Sequence, residues 1–450
     1  MAATFKVKDK FINRFAPYFL VVYSFVSLIS WFRYPSEQLY NLLNQGTSAL
    51  LFRIVLGVIF TLYMGLICLV NKKLPPWRYT LLFAFICLYL CLLIFIQDKT
   101  YVYDPTKDPI TVTTTFTAKF YLGWAYSAFM AYCLLFVLPI AKTHRKIQFL
   151  PFLIFWAFVG LVFIGYSVVT QFDIYKGFLT WRGDNKWQYQ VHSFFVNKNP
   201  FGAALFGSFS ACVALAEQTK MRWRIPLLIL AFLYFVECVF IRCSTAYVSE
   251  IAAFICLYIF RCIQGIKKHP GVAWSFLSIG FLGFIFLAFI LTVPSVYEAN
   301  KLFGKLRDVV VSPDYSGRVD IWTNFFATLN AKTTFFGWGP LGKFINGYLM
   351  EKDIVEHPLE NAFLDVFCAG GIVFLTFYFW VLSNTAKKIW FVRSINAPLF
   401  AALLACFIGC VVFGITEINH FVFSSSSMTF VGSFIIAAIP ASLRTETKEE

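Results

Sequence analysis

The sequence predicts an all-α polytopic membrane protein with about 12 transmembrane helices, and three observations lead to this prediction. The chain of 450 residues is 59% hydrophobic and 14% charged, whereas soluble domains are about a quarter charged. Apolar runs of about 17–25 residues recur along the whole chain, and each is long enough to cross a bilayer as a helix. Basic residues concentrate in alternate loops. Such a chain forms a single transmembrane domain over residues 1–450.

The predicted spans follow one another with mostly short connections. The seventh and eighth spans nearly touch at "IRCSTAY", and the twelfth begins in a serine run. The first apolar run lacks the small-residue cleavage site of a signal peptide, so it is predicted to remain as the first span. The spans cover residues 16–32, 49–70, 78–96, 119–140, 148–171, 201–217, 224–241, 245–261, 273–295, 361–383, 397–416 and 424–441.

The net charge of +15 follows from this topology. With the N-terminus inside, the inner segments contain about 21 basic residues and the short outer loops about five, which is the positive-inside pattern. An even number of spans places both termini in the cytoplasm. Because topology accounts for the charge, nucleic-acid binding is not expected. The 12 cysteines lie in the spans or at their edges, which predicts neither a disulfide framework nor a cysteine metal site.

Two long segments, residues 172–200 and 296–360, are both predicted to lie outside. Long loops on one face of a rigid scaffold usually carry function. A transporter or flippase, the alternative of another class, more often buries ionisable groups at the bilayer midplane. The spans contain few such groups, namely Arg53, Glu237, Glu250 and Asp365. The pattern therefore favours a site at the outer face.

Arg318 lies in a segment of the second loop that is predicted to be helical. Ser316 can cap this helix, and the helix would bury an aromatic face. A cation in the first turn opposes the helix dipole at a cost of a few tenths of a kcal/mol, and a bound anion would reverse that cost. The alternative is a salt bridge to Asp314 or Asp320. The predicted buried face consists of Val319, Trp322, Phe325, Phe326 and Leu329.

Two further polar residues are predicted at the same membrane face. In "VNKNPFGAAL", Asn199 can cap the sixth span with Pro200 in its first helical position, which points a positive helix end outward. That end can bind a phosphate, and the alternative is simply a well-capped helix. Arg242 ends the seventh span in "FIRCSTAY". The alternative for Arg242 is a side chain that reaches to the membrane interface.

The second long loop ends in "IVEHPLENAF", which places His357 between Glu356 and Glu360 just before the tenth span. A histidine titrates near neutral pH, so it can accept or donate a proton there. The neighbouring carboxylates can orient the imidazole. The alternative is a solvated loop histidine.

Late in the chain, "SGRVDIW", "GWGPLG" and "HPLENAFLDVFCAGGIVF" follow one another in the same long loop and the span after it. In this order, together with the earlier "NKNPFG" and an arginine after the seventh span, the chain resembles the O-antigen ligase and O-antigen/capsule polymerase family of bacterial envelopes. The resemblance covers about residues 180–385. It implies a GT-C-type helical bundle with the active site under the long outer loop before the tenth span.

The resemblance also implies an activity. Family members take a glycan from an undecaprenyl diphosphate carrier at the outer face of the bacterial cytoplasmic membrane and join it to an acceptor sugar hydroxyl. No cofactor and no metal is implied, because the lipid diphosphate is already a good leaving group. The implied partners are the lipid-linked glycan, an acceptor glycan or lipid A-core, the bilayer and a chain-length regulator. "NKNPFG" and the lack of "HN" favour an O-antigen or capsule polymerase, with a ligase as the alternative.

The residue types suit this chemistry. A diphosphate needs paired cations, and arginine can bind it through two parallel hydrogen bonds. The candidate diphosphate- and substrate-binding residues are Arg318, Arg242, Arg182, Asn199 and Asn361.

The acceptor hydroxyl needs a base, and His357 and Glu360 are the candidates. The family usually sets its histidine directly before the asparagine of "HNxxL". Here Glu360 precedes Asn361, and His357 lies three residues further back. If a helix begins at Asn361, its positive end weakens Glu360 as a base, which favours His357.

Overall fold

The computed structural model describes residues 2–33, 38, 46–97, 118–141, 149–175, 191–266, 269–297, 318–327, 329–339, 343–346, 355–418, 420–423 and 427–446. Ten helices in these ranges are long and apolar enough to cross a membrane. The ninth and twelfth predicted spans correspond to the shorter apolar stretches Ala273–Gly283 and Thr429–Arg444. The prediction of an all-α polytopic membrane protein is therefore confirmed.

The elements follow the predicted order, with one short hairpin added in the long loop. That hairpin pairs β1 (Lys343–Asn346) with β2 (Val355–Pro358) in antiparallel register. The last helical stretch passes from α15 through a π-helical turn, Phe434–Ala438, into α16. The helices are α1 (Ala2–Ile29), α2 (Gly46–Asn71), α3 (Trp77–Ile96), α4 (Ala118–Tyr132), α5 (Leu150–Thr170), α6 (Lys198–Ala216), α7 (Met221–Phe240), α8 (Ser244–Ile266), α9 (Pro270–Thr292), α10 (Pro294–Tyr297), α11 (Arg318–Ala327), α12 (Ala331–Phe336), α13 (Ala362–Ile395), α14 (Ala397–Thr416), α15 (Ser427–Ser433) and α16 (Ile439–Glu446).

The helix connections separate into two ends of the bundle. At one end, here the basic end, lie the described short connections that carry lysine or arginine, such as those that follow α2 and α6. There the Glu217 carboxylate accepts hydrogen bonds from Arg261 and from Arg224, the latter at 2.9 Å, and Asn13 bonds Asn71 at 2.9 Å. At the opposite end, here the loop end, lie the described parts of both long loops. The described connections therefore agree with the sequence, which predicts basic connections on one side of the membrane and both long loops on the other.

Helix α6 lies at the centre of the bundle, because almost all of its residues are buried. Its sequence is rich in glycine, alanine and serine, and small residues allow neighbouring helices to approach closely in a membrane. Gly202 shows how close this approach is, since a Cβ at that position would lie 2.4 Å from the Cys243 sulfur. The first residues of α6 therefore reach the loop end in the middle of the surrounding helices.

Helix α13 is broken at Gly370 and Gly371, a feature that the sequence did not predict. Gly370 has φ −149° and Gly371 has φ 65°. With 34 residues, an unbroken helix would be about 51 Å long, against a hydrocarbon core of about 30 Å. The turn after α12 inserts at the break, where the backbone N–H groups of Trp338 and Gly339 donate to the Cys368 carbonyl at 2.7 and 3.0 Å. The "FFGWG" segment thus forms a turn that docks against α13.

Side chains of Tyr89 in α3 and of Gln97 directly after it complete the backbone hydrogen bonding at this break. The Gln97 amide donates to the carbonyls of Phe336 at 2.6 Å and Ala369 at 3.0 Å. The Tyr89 hydroxyl donates to the Gly370 carbonyl at 2.9 Å. Non-helical backbone at membrane depth is tolerated only where protein satisfies its polar groups. The contact therefore ties the long loop to the first two turns of α13.

We expect Gly371→Ala to destabilise the protein. Gly371 has a positive φ, and a residue with a Cβ is destabilised by about 1–3 kcal/mol in such a backbone conformation. In addition, the alanine Cβ would lie 2.2 Å from the Phe335 carbonyl oxygen. Thermal unfolding in detergent measures the effect. Gly65→Ala is the matched control, because nothing lies within 4 Å of a Cβ at Gly65. Equal melting temperatures for the two variants would contradict the docked turn.

The face that α11 buries differs from the predicted face. Ile321 and Phe325 are buried against Leu359 and Phe367, whereas Val319 and Phe326 are exposed. The prediction was wrong for these two residues. The helix packs on the short segment before α13, and the Trp322 indole donates to the Leu359 carbonyl at 2.8 Å. The other three predicted residues, Trp322, Phe325 and Leu329, lie on the buried face as predicted.

The orientation of the bundle gives a second testable prediction. Lys332 is exposed on α12 at the loop end, so Lys332→Cys should react with a membrane-impermeant thiol reagent in whole cells, or in spheroplasts where an outer membrane is present. Leu74, which is 84% exposed at the basic end, is the matched control, and Leu74→Cys should react only after lysis. The reverse pattern would place the loop end in the cytoplasm.

Candidate active site

Charged and polar side chains from five separate segments meet at the loop end. Their apolar neighbours and the surrounding helices leave most of them half-buried or buried. We call this set the loop-end cluster. It consists of Lys198 and Asn199 at the start of α6, Arg242 between α7 and α8, Arg318 at the start of α11, Glu360 before α13, and Glu417 after α14.

The Arg318 guanidinium forms an ion pair with the Glu360 carboxylate. The Arg318 side chain is 13% exposed and that of Glu360 is 34% exposed. The alternative predicted for Arg318, a salt bridge to Asp314 or Asp320, falls on side chains outside the described residues. Glu360 adopts φ 46°, a backbone conformation that turns the chain sharply into α13. The pair thus links the long loop to the start of α13, and it occupies a carboxylate that the sequence proposed as a base.

Glu417 is buried beside this pair. Its Oε1 accepts a hydrogen bond from the Asn199 amide at 2.6 Å. Burial, followed by repulsion from the Glu360 carboxylate, raises the pKa of Glu417 to about 7, although Arg318 and Asn199 act in the opposite direction. A carboxyl with this pKa is about half ionised at neutral pH, so it can accept a proton there.

Two further cations complete the loop-end cluster. Lys198 interacts electrostatically with Arg242, Arg318 and Glu417, which brings all three cations into one region. Burial lowers the pKa of the Arg242 guanidinium. Arg242 adopts φ 59° in the tight connection between α7 and α8, so its backbone conformation is strained for a residue with a Cβ. Strained residues of this kind tend to occur at functional sites.

The role of Asn199 differs from the predicted one. Helix α6 begins at Lys198, and the cap is Asn197, whose side chain accepts from the Asn199 N–H at 2.9 Å. Pro200 is therefore the third helical residue, which is tolerated because N–H groups of the first turn have no partner within the helix. The prediction of Asn199 as the cap was wrong. Its side chain is instead directed at Glu417.

Asn361, which the sequence proposed as a substrate-binding residue, caps α13. Its side chain accepts from the Phe363 N–H at 2.9 Å and the Leu364 N–H at 3.1 Å, and its amide donates to the Ile415 carbonyl at 3.0 Å. These bonds hold the start of α13 against the end of α14. In the structure the amide therefore joins the two segments that carry Glu360 and Glu417.

The remaining predicted residues are only partly described. The backbone of His357 pairs with Phe344 in the β hairpin, three residues before Glu360, and its side chain lies outside the described residues. Arg182 also lies outside them, as does most of the loop around it. Their predicted roles therefore stay predictions.

Sequence reasoning missed Glu417, Lys198 and a pair formed by Asp365 and His420. The His420 imidazole donates from Nε2 to Asp365 Oδ2 at 2.6 Å. The available signal was "TEINH", a carboxylate and a histidine in a short connection on the side of the long loops. Charged residues in such a connection are unusual enough to be candidates for function.

The loop-end cluster suits the binding of an anion. It contains three cations against two carboxylates, one of which is about half protonated at neutral pH. Among the residues with described side chains, no group of three or more His, Cys, Asp or Glu could hold a metal ion.

No protein-family model matches this sequence. A comparison with curated proteins likewise finds no match.

Proposed function

We propose that this protein is a metal-independent glycosyltransferase that moves a glycan from undecaprenyl diphosphate to an acceptor sugar hydroxyl at the outer face of the bacterial cytoplasmic membrane. One observation carries the proposal. Arg318, Arg242 and Lys198 come from separate segments and meet at one end of a membrane bundle, around two carboxylates. The order of the motifs in the sequence supports the same substrate class.

A lipid diphosphate matches this arrangement in charge and in position. Its phosphates carry negative charge at the membrane surface, while its polyprenyl chain stays in the bilayer. Arginine can hold two phosphate oxygens at once, and Arg242 and Arg318 come from separate segments and both interact with Lys198. Cations placed there would also stabilise the diphosphate as it leaves.

The transfer needs one base. The acceptor oxygen attacks the anomeric carbon, the bond from that carbon to the diphosphate oxygen breaks, and the electron pair stays on the diphosphate. We assign the acceptor proton to the Glu417 carboxylate, because a base works best with a pKa near the working pH. Glu360 is held by Arg318. His357, which the sequence favours, is the alternative base. Attack opposite the diphosphate inverts the anomeric carbon.

Purified protein incubated with undecaprenyl diphosphate-linked repeats tests this function directly. Longer lipid-linked glycans and released undecaprenyl diphosphate are expected, without added metal and in the presence of EDTA. Product formed only when lipid A-core is supplied would identify a ligase instead of a polymerase. Movement of intact lipid-linked glycan across liposomes without any new glycosidic bond would replace the proposal with a flippase.

A further inference from the structure

A second polar pair is buried beneath the loop end, outside the loop-end cluster. His420 and Asp365 share a hydrogen bond of 2.6 Å, and their side chains are 12% and 6% exposed. Asp365 lies in the first turn of α13, and His420 lies in the connection between α14 and α15. The His420 ring stands edge-on to Trp124 with a centroid distance of 4.8 Å.

This pair is expensive to bury. Asp365 Oδ1 and His420 Nδ1 are both buried, and neither has a hydrogen-bond partner among the described residues. Each such atom loses its hydration without full compensation. Apolar side chains of similar size would fill this space at a lower cost. A role in packing alone therefore does not account for the pair.

The location of the pair indicates what it does. Asp365 follows Glu360 by five residues, and His420 follows Glu417 by three. The hydrogen bond therefore joins the two segments that carry these carboxylates, next to the link between Asn361 and the end of α14. Glu360 and Glu417 repel each other, and the hydrogen bond between Asp365 and His420 opposes the separation of the two segments.

We propose that Asp365 and His420 are positioning residues that hold Glu417 against the Glu360–Arg318 pair, so that base and cations face one substrate. This inference rests on the proposed function. The pair acts through its hydrogen bond, and a proton transfer by the imidazole is not needed. The titratable groups that face the pair are Tyr378, whose ring centroid lies 6.3 Å from that of His420, and Cys368, which interacts electrostatically with Asp365.

Two substitutions of His420 test the proposal. In His420→Gln the amide nitrogen takes a position close to that of Nε2 and keeps the donor, whereas His420→Leu removes it. We expect His420→Leu to lower kcat about 100-fold, as small misplacements of reacting groups do, and His420→Gln to stay within about fivefold of wild type. Asn71→Leu, which breaks a polar pair at the basic end, is the matched control and should retain activity.

A second measurement does not depend on activity. Infrared titration of the protonated carboxyl band, assigned by its loss in Glu417→Gln, gives the midpoint for Glu417. In His420→Leu the segment moves away from Glu360 and gains water, so the midpoint should fall from about 7 towards the ordinary range of a glutamate. His420→Gln should keep the wild-type midpoint.

The outcomes separate the two proposals. An unchanged Glu417 midpoint in His420→Leu, or a His420→Gln protein as impaired as His420→Leu, overturns the positioning role. Wild-type protein that makes no glycosidic bond from undecaprenyl diphosphate-linked repeats overturns the proposed function. In that case the shifted midpoint in His420→Leu would still support the positioning role.

Discussion

Arg318→Ala is expected to abolish glycan transfer while the protein still folds and inserts. The substitution removes a cation that pairs with Glu360 and interacts with both Glu417 and Lys198. Loss of one such electrostatic group typically costs about 10²–10³-fold in kcat, and here the remaining Glu360 carboxylate would also repel the diphosphate. Purified variants assayed on lipid-linked repeats measure the loss, and unreacted lipid-linked repeats should accumulate in cells.

Arg318→Lys should restore only part of the activity, since a point charge does not replace the two parallel hydrogen bonds of a guanidinium. Arg393→Ala is the matched control, because Arg393 lies at the basic end, 5.2 Å from the centre of the Trp390 ring. We expect that variant to transfer glycan at the wild-type rate. Wild-type polymer levels in Arg318→Ala would rule out the assigned role of this arginine.

Glu417→Gln is expected to lower kcat about 10²–10⁴-fold, which is the usual cost of losing a general base. The amide keeps the shape of the side chain and can still contact Asn199, so folding should be preserved. His357→Ala and Glu360→Gln, assayed beside it, compare the three candidates under identical conditions. A nearly inactive His357→Ala protein beside an active Glu417→Gln protein would assign the proton to His357.

The pH dependence provides a second test of the same assignment. A base must be deprotonated, so the wild-type kcat should fall about tenfold per pH unit below the pKa of Glu417, which is about 7. Affinity for the diphosphate should rise as the pH falls, because protonation of Glu417 makes the loop-end cluster more positive. Glu417→Gln should lose both dependences. A wild-type kcat that is flat between pH 5 and 8 would exclude Glu417 as the base.

The location of the spans could be read from the sequence, because apolar runs and basic loops are local signals. Each run buries its side chains in lipid wherever its neighbours lie, so its length alone identifies a span. The alternation of basic loops likewise grouped the connections into two ends, and the contacts of Glu217 and of Asn13 agree with that grouping.

The composition of the loop-end cluster was decided by the tertiary structure. Arg318 and Arg242 were recognised by their residue type and motif, but Glu417 lies 57 residues after Glu360 and 218 after Asn199. No local pattern relates positions so far apart. The packing of α6, α8 and α14 against one another brings them together, and burial then gives Glu417 its unusual pKa.

The break in α13 likewise depends on tertiary contacts and not on local sequence alone. The sequence contains two adjacent glycines in an apolar run, which is compatible with an unbroken membrane helix. Only the docked turn at Gly337 and the donors Gln97 and Tyr89 make the break stable, because they satisfy the backbone groups that it releases. Local sequence thus determined which segments enter the membrane, while contacts between distant segments determined which polar groups meet, because hydrogen bonds and charges act through space.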